Sequence, residues 1–166
     1  MRQPLSILWA LLAAPALVAP AAAQSSAVVQ QVGLQNLAEV GQDGGVDGPS
    51  QAQIRQIGAG AHVARLDQSG GTADVLQDGS GHVLAGLSGG LTDPTSAAVS
   101  ADGSELVVRQ EGLGHRAFVD QRDGSFAHIT QAGQDNLVVL SQSGGAVARV
   151  SQDGTGNVAR VTQSDF

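Results

Sequence analysis

The feature that most restricts this 166-residue chain is repetition of glutamine. Gln110, Gln131 and Gln152 stand 21 residues apart, and Gln121, Gln142 and Gln163 each follow 11 residues behind. Aligned on these, one unit reads Leu106-x-Val108-x-Gln110-x-Gly112-x-x-His115-x-Ala117-x-Val119-x-Gln121. The next is Ala127-x-Ile129-x-Gln131-x-Gly133-x-x-Asn136-x-Val138-x-Leu140-x-Gln142, and the last is Ala148-x-Val150-x-Gln152-x-Gly154-x-x-Asn157-x-Ala159-x-Val161-x-Gln163. Upstream, the same template fits Gln31, Gly33, Asn36 and Gln42, and again Gln56, Gly58, His62 and Gln68 with one extra residue in the turn. A weaker copy carries Gln77, Gly79 and His82 but closes with Gly86 and Ser88. The six units span 27–42, 52–68, 73–88, 106–121, 127–142 and 148–163. Most spacers are short and rich in Ser, Gly and Asp, as turns require. Two are long: Asp43–Gln51, and an insertion at 89–105 that contains Asp93–Pro94.

Repetition at every second position within each half-unit is the period of a β-strand with one constrained face. Each unit is predicted to be strand, tight turn at Gly-x-x, and strand. A lone two-stranded arch cannot bury its inner face, so the units must stack, which predicts an all-β β-solenoid of six rungs. At a strand spacing of about 4.8 Å, six rungs rise roughly 29 Å. Stacking sets like over like: small apolar residues form a dry seam, and amides form ladders in which each donates to one neighbour and accepts from the other. The expected ladder residues are Gln31, Asn36, Gln42, Gln56, His62, Gln68, Gln77, His82, Gln110, His115, Gln121, Gln131, Asn136, Gln142, Gln152, Asn157 and Gln163.

Composition agrees with thin layers rather than a thick core. Aromatics make up 2% of the chain, there are 23 Gly, and no Cys is available for disulfides or thiolate metal sites. The net charge of −7, with 8 scattered basic residues, argues against nucleic acid as a partner. At the N-terminus, a basic start at Arg2, an apolar run from Leu5 to Val18 and the small residues Ala21–Ala23 form an export signal at 1–23. The mature repeat domain would then be 24–166. The apolar run is shorter than the roughly 20 residues of a membrane span and is broken by Pro15 and Pro20. No transmembrane segment is expected in the mature chain.

The pattern Gln-x-Gly-x-x-Asn-x-Ala-x-x-x-Gln, seen at Gln31–Gln42 and Gln152–Gln163, resembles the curlin repeat of bacterial curli subunits. The resemblance implies a secreted subunit that polymerises head to tail into an extracellular amyloid fibre at the cell surface, a pilus-like structure supporting adhesion and biofilm matrix. It also implies as partners further copies of the chain, a second curlin-type subunit and outer-membrane export machinery. Two departures from the family pattern, the short segment Gln24–Ser26 before the first repeat and the insertion at 89–105, leave both the major and the nucleating subunit open.

Other constellations point to turns and stacking rather than catalysis. His62, His82 and His115 occupy the slot of Asn36, Asn136 and Asn157; neutral imidazole can replace the Asn amide there, whereas a stacked line of nitrogens is not a tetrahedral metal cage. The Asp-Gly pairs at Asp43, Asp78, Asp102, Asp123 and Asp153 lack the nine-residue register of calcium β-rolls and fit turns. Ser100, Ser104 and Ser125 fall in spacers without a His/Asp partner. No enzyme, cofactor or metal site is expected. The alternative function is a monomeric secreted β-solenoid used for binding. Its ends would be capped, whereas here the first and last units lie close to the ends of the mature chain.

Overall fold

A computed structural model describes residues 25–43, 48–86, 98–101 and 103–164. The expected export signal at 1–23 lies outside the described residues. The described chain forms β1 (Ser26–Gly33), β2 (Leu37–Asp43), β3 (Ser50–Gly58), β4 (Val63–Ser69), β5 (Gly71–Ser80), β6 (Val83–Ala85) and β7 (Ala98–Ala101). It continues through β8 (Glu105–Leu113), β9 (Arg116–Gln121), β10 (Phe126–Gln134), β11 (Leu137–Ser143), β12 (Val147–Thr155) and β13 (Val158–Ser164). The described residues hold no helix long and apolar enough to cross a membrane.

The strands build two parallel sheets, one of order β1-β3-β5-β8-β10-β12 and one of order β2-β4-β6-β9-β11-β13, with β7 inserted beside β6. The protein is therefore an all-β solenoid of six turns. Every first strand pairs with the next at the template positions: Gln31 with Gln56, Gln77 with Gln110, and Gln131 with Gln152. Period-two sequence becomes period-two burial, with Ala52, Ile54 and Gln56 buried along β3 and Gln51, Gln53 and Arg55 exposed between them. The seam stacks Ile54, Val75, Val108 and Ile129 from one sheet against Leu66, Val119 and Leu140 from the other, with Leu84 in the neighbouring row between Ala64 and Ala117, all buried. Such small and branched side chains fill a narrow space between facing sheets without large aromatic residues.

The template glycine is needed where the first strand ends. Gly79 has φ +124°, and a Cβ there would collide with the carbonyl oxygen of Gly112 in the next rung. Both the left-handed backbone and the close approach of neighbouring rungs exclude a side chain.

The interruption falls inside the third rung, not after it. β6 supplies only Val83–Ala85, where Val83 pairs with Val63 and Arg116. β7 finishes the same rung: Ala98 pairs with Leu66, and Ser100 with both Gln68 and Gln121. The expected closing residue, Ser88, lies outside the described residues, and the register of the missing glutamine is held by Ser100. The expected insertion at 89–105 thus contains a strand of the solenoid, and its last residue, Glu105, opens β8.

Candidate functional site

Three polar files run through the dry seam. In the first, Gln31, Gln56, Gln77, Gln110, Gln131 and Gln152 form an unbroken ladder. Each Nε2 donates to the Oε1 of the next, at 2.7, 2.8, 2.9, 2.9 and 2.9 Å. The remaining N–H of each interior amide donates to a carbonyl of the second sheet, as Gln56 does to Leu37 and Gln131 to Arg116. One side chain thereby ties two rungs and two sheets together. That full satisfaction is what makes a buried glutamine tolerable in so thin a core.

The second file is divided. Gln42 donates to Gln68 at 3.3 Å, and beyond the third rung Gln121 donates to Gln142 at 3.4 Å and Gln142 to Gln163 at 2.7 Å. Between the two parts the register belongs to Ser100, a residue type without an amide. Gln121 Oε1 is left buried without a hydrogen-bond partner, the one such side-chain atom found among the described residues.

The third file lies at the turn between the strands and mixes two residue types. Asn136 Nδ2 donates to Ala132 O at 2.8 Å, and its Oδ1 accepts from the Asn157 backbone N at 2.9 Å. The histidines copy this scheme. Nε2 of His82 lies 2.9 Å from Asp78 O, and Nε2 of His115 lies 2.8 Å from Glu111 O. Their Nδ1 atoms accept the backbone N–H of His115 and Asn136, at 3.3 Å in both cases. An Nδ1 that accepts must be unprotonated, so each ring is the neutral Nε2–H tautomer, an imidazole standing in for an amide. His62 reaches Ile57 O, five residues back rather than four, which accommodates the extra residue in its turn. The three rings stack at centroid spacings of 5.0 Å. Desolvation lowers the His82 pKa from the usual 6.5 to about 4; the adjacent rings add to this, while the carbonyl and carboxylate of Asp78 oppose it. The described residues contain no group of three His, Cys, Asp or Glu side chains placed to hold a metal ion.

Sequence reasoning missed a fourth buried polar row. Ser50, Ser104 and Ser125 are fully buried at the corners that lead into the first strands, where they read in sequence as spacer residues. Ser50 Oγ accepts the Gly70 N–H at 2.8 Å, and Ser125 Oγ donates to Arg122 O at 2.7 Å. A further contact invisible in sequence is the ion pair of Arg65 Nε with Glu39 Oε2 at 2.6 Å, set up by the pairing of β2 with β4.

The two terminal rungs carry the same residues as the interior ones but lack a neighbour. Among the described residues, β1 and β2 are unpaired on one edge, as are β12 and β13 at the opposite end. Val29 is consequently 45% exposed, whereas its stacked equivalents Ile54 and Val75 are buried completely. Every amide bond between rungs in both glutamine files runs in one direction, with the donor in the more N-terminal rung. The ladders are therefore polar.

No protein-family model, curated protein or solved structure matches the chain.

Proposed function

We propose that this protein is a structural subunit of a secreted, curli-type extracellular amyloid fibre that supports cell adhesion and the biofilm matrix. The observation that carries this reading is the equivalence of terminal and interior rungs. Gln152 at one end and Gln31 at the other occupy the register that interior glutamines use to bond each other, and both outer edges are free of strand partners among the described residues. Unpaired parallel strands with exposed apolar residues are templates for strand addition. Placing Gln152 of one copy beneath Gln31 of the next continues the ladder with its polarity unchanged. The curlin-like spacing of the repeat supports the same function, and with it a second curlin-type subunit and an outer-membrane export apparatus as partners.

The test is seeded assembly of the purified mature chain, followed by dye binding and cross-β diffraction. Polymerisation after a lag that preformed fibres shorten is the expected result. Protein that stays monomeric in sedimentation over days, with and without seeds, fits the binding-module alternative and overturns the fibre reading.

A further inference from the structure

The outer surface of the terminal rungs carries a charge pair that is split between the two ends of the chain. Along the second sheet, Glu39 pairs in register with Arg65, and at the far end Val139 pairs with Arg160. Through Ala85 and Phe118, both buried, Glu39, Arg65, Val139 and Arg160 belong to one register row, which is exposed at its two ends, Glu39 and Arg160. Within the chain, the Glu39–Arg65 neighbours form their ion pair at 2.6 Å. Glu39 nevertheless remains 57% exposed, because the row ends with it on the N-terminal face. Arg160, the final member on the C-terminal face, is exposed as well.

We infer that Arg160 of one copy pairs with Glu39 of the next and thereby reinforces the register that the amide ladders set where copies join. This rests on the fibre reading above and adds the partner surface to it. Continuing the stack by one rung sets Arg160 beside Glu39 at the same spacing of about 4.8 Å that separates Glu39 from Arg65. Glu39 is then flanked by an arginine on each side. The other charged end residues meet no like charge: in the same register Arg149 falls on Val28, and Asp153 falls on Val32. Sliding the junction by one residue would turn the inward files outward, while sliding it by two would separate Arg160 from Glu39. The apolar seam residues alone discriminate weakly against a two-residue slip, since Ala and Val alternate on both sides; the glutamine file opposes it independently, because Gln152 would then meet Val29 or Gly33 instead of Gln31. An opposite-charge pair at the rim supplies specificity where the apolar contacts are degenerate.

The experiment uses charge reversal on each face. Arg160→Glu leaves the internal Glu39–Arg65 pair intact but sets a second carboxylate against Glu39 of the neighbour. It should raise the soluble protein remaining at the assembly plateau on the order of five- to ten-fold, the swing from an attractive to a repulsive surface pair. Glu39→Arg alone should impair assembly similarly. An equimolar mixture of the two variants places opposite charges at every junction and should polymerise like the wild type, in alternating copies. If Glu39→Arg does not fold, the double variant Arg160→Glu/Glu39→Gln serves instead; it lacks the like-charge contact and should regain assembly relative to Arg160→Glu. Wild-type assembly by Arg160→Glu, or no recovery on mixing or in the double variant, overturns the charge-pair inference while leaving the fibre reading in place. A wild-type chain that never polymerises overturns both.

Discussion

The two glutamine ladders start from the same template and end differently. In the first sheet, six amides run without a gap, at separations between 2.7 and 2.9 Å. In the second, β6 ends at Ala85 and β7 supplies Ser100 at the glutamine register, the neighbouring contacts at Gln68 and Gln121 are 3.3 and 3.4 Å, and Gln121 Oε1 has no donor. The backbone pairing survives the detour, because β7 bonds to both β4 and β9. The comparison separates two functions of a repeat. Main-chain pairing needs only an extended segment at the right height, whereas an amide ladder needs the same side chain in every rung.

The largest expected consequence concerns loss of an amide from each ladder. Gln110→Ala should strip Gln77 of its acceptor and Gln131 of its donor and open a cavity, for a loss on the order of 4 kcal/mol. Gln121→Ala deprives Gln142 Oε1 and the Glu105 carbonyl of donors held at 3.4 Å, strips no ladder amide of its acceptor and removes an atom that is already unpartnered, so about half that loss is expected. Thermal or denaturant unfolding of the two variants, measured under conditions that keep them monomeric, checks the ranking. Equal losses would mean that the division of the second ladder has no energetic meaning.

Next in size is the response of the histidine file, which passes through the third rung before the break and is continuous there. His82 has a folded pKa near 4 against 6.5 for the free side chain. The unfolded chain therefore binds the proton more readily, so stability is fully present above pH 6.5 and falls as the pH drops toward 4. The full shift corresponds to roughly 3 kcal/mol. Carboxylates titrate in the same window, so the comparison must be with His82→Asn, which keeps an acceptor and a donor in the slot. Stability of that variant should decline less between pH 6.5 and 4. Parallel stability profiles for the variant and the wild type would remove His82 as the origin.

The smallest expected effect is a repair. Ser100→Gln places an amide at the register between Gln68 and Gln121 and offers a donor to Gln121 Oε1. A gain of about 1 kcal/mol is expected, the net worth of one buried hydrogen bond. Destabilisation by this substitution would show that the slot at residue 100 does not open onto the ladder.

Much of the fold was legible because the same physical demand recurs in every rung. Inward positions at period two, Gly at the sharp strand end and Asn or His at the turn each appear several times in one register, so a single alignment exposes them together. The third rung was not legible in this way. Gly86 and Ser88 lie at the expected spacing after His82 and read as a degenerate ending, whereas Ser100, a spacer residue by sequence, is the one that pairs with Gln68 and Gln121. Spacing along the chain reveals an element only while the chain keeps its period. The corner serines escaped for a related reason: Ser50, Ser104 and Ser125 resemble any turn residue, and their complete burial depends on the rungs above and below.

The sequence by itself determined the strand period, the repeating units other than the second half of the third, and most of the residues that face inward, since these follow from local alternation and from glycine's conformational freedom. Only the tertiary structure decided which side chains touch. Glu39 and Arg65 meet across 26 positions of chain, His82 and His115 across 33, and Ser100 enters a rung begun at Val83. Those contacts depend on how far the chain travels before it returns to the stack. Loop length costs little free energy, so it is weakly encoded in residue type. The pairing of parallel edges, which tolerates any loop that brings a strand back at the right height, makes that choice.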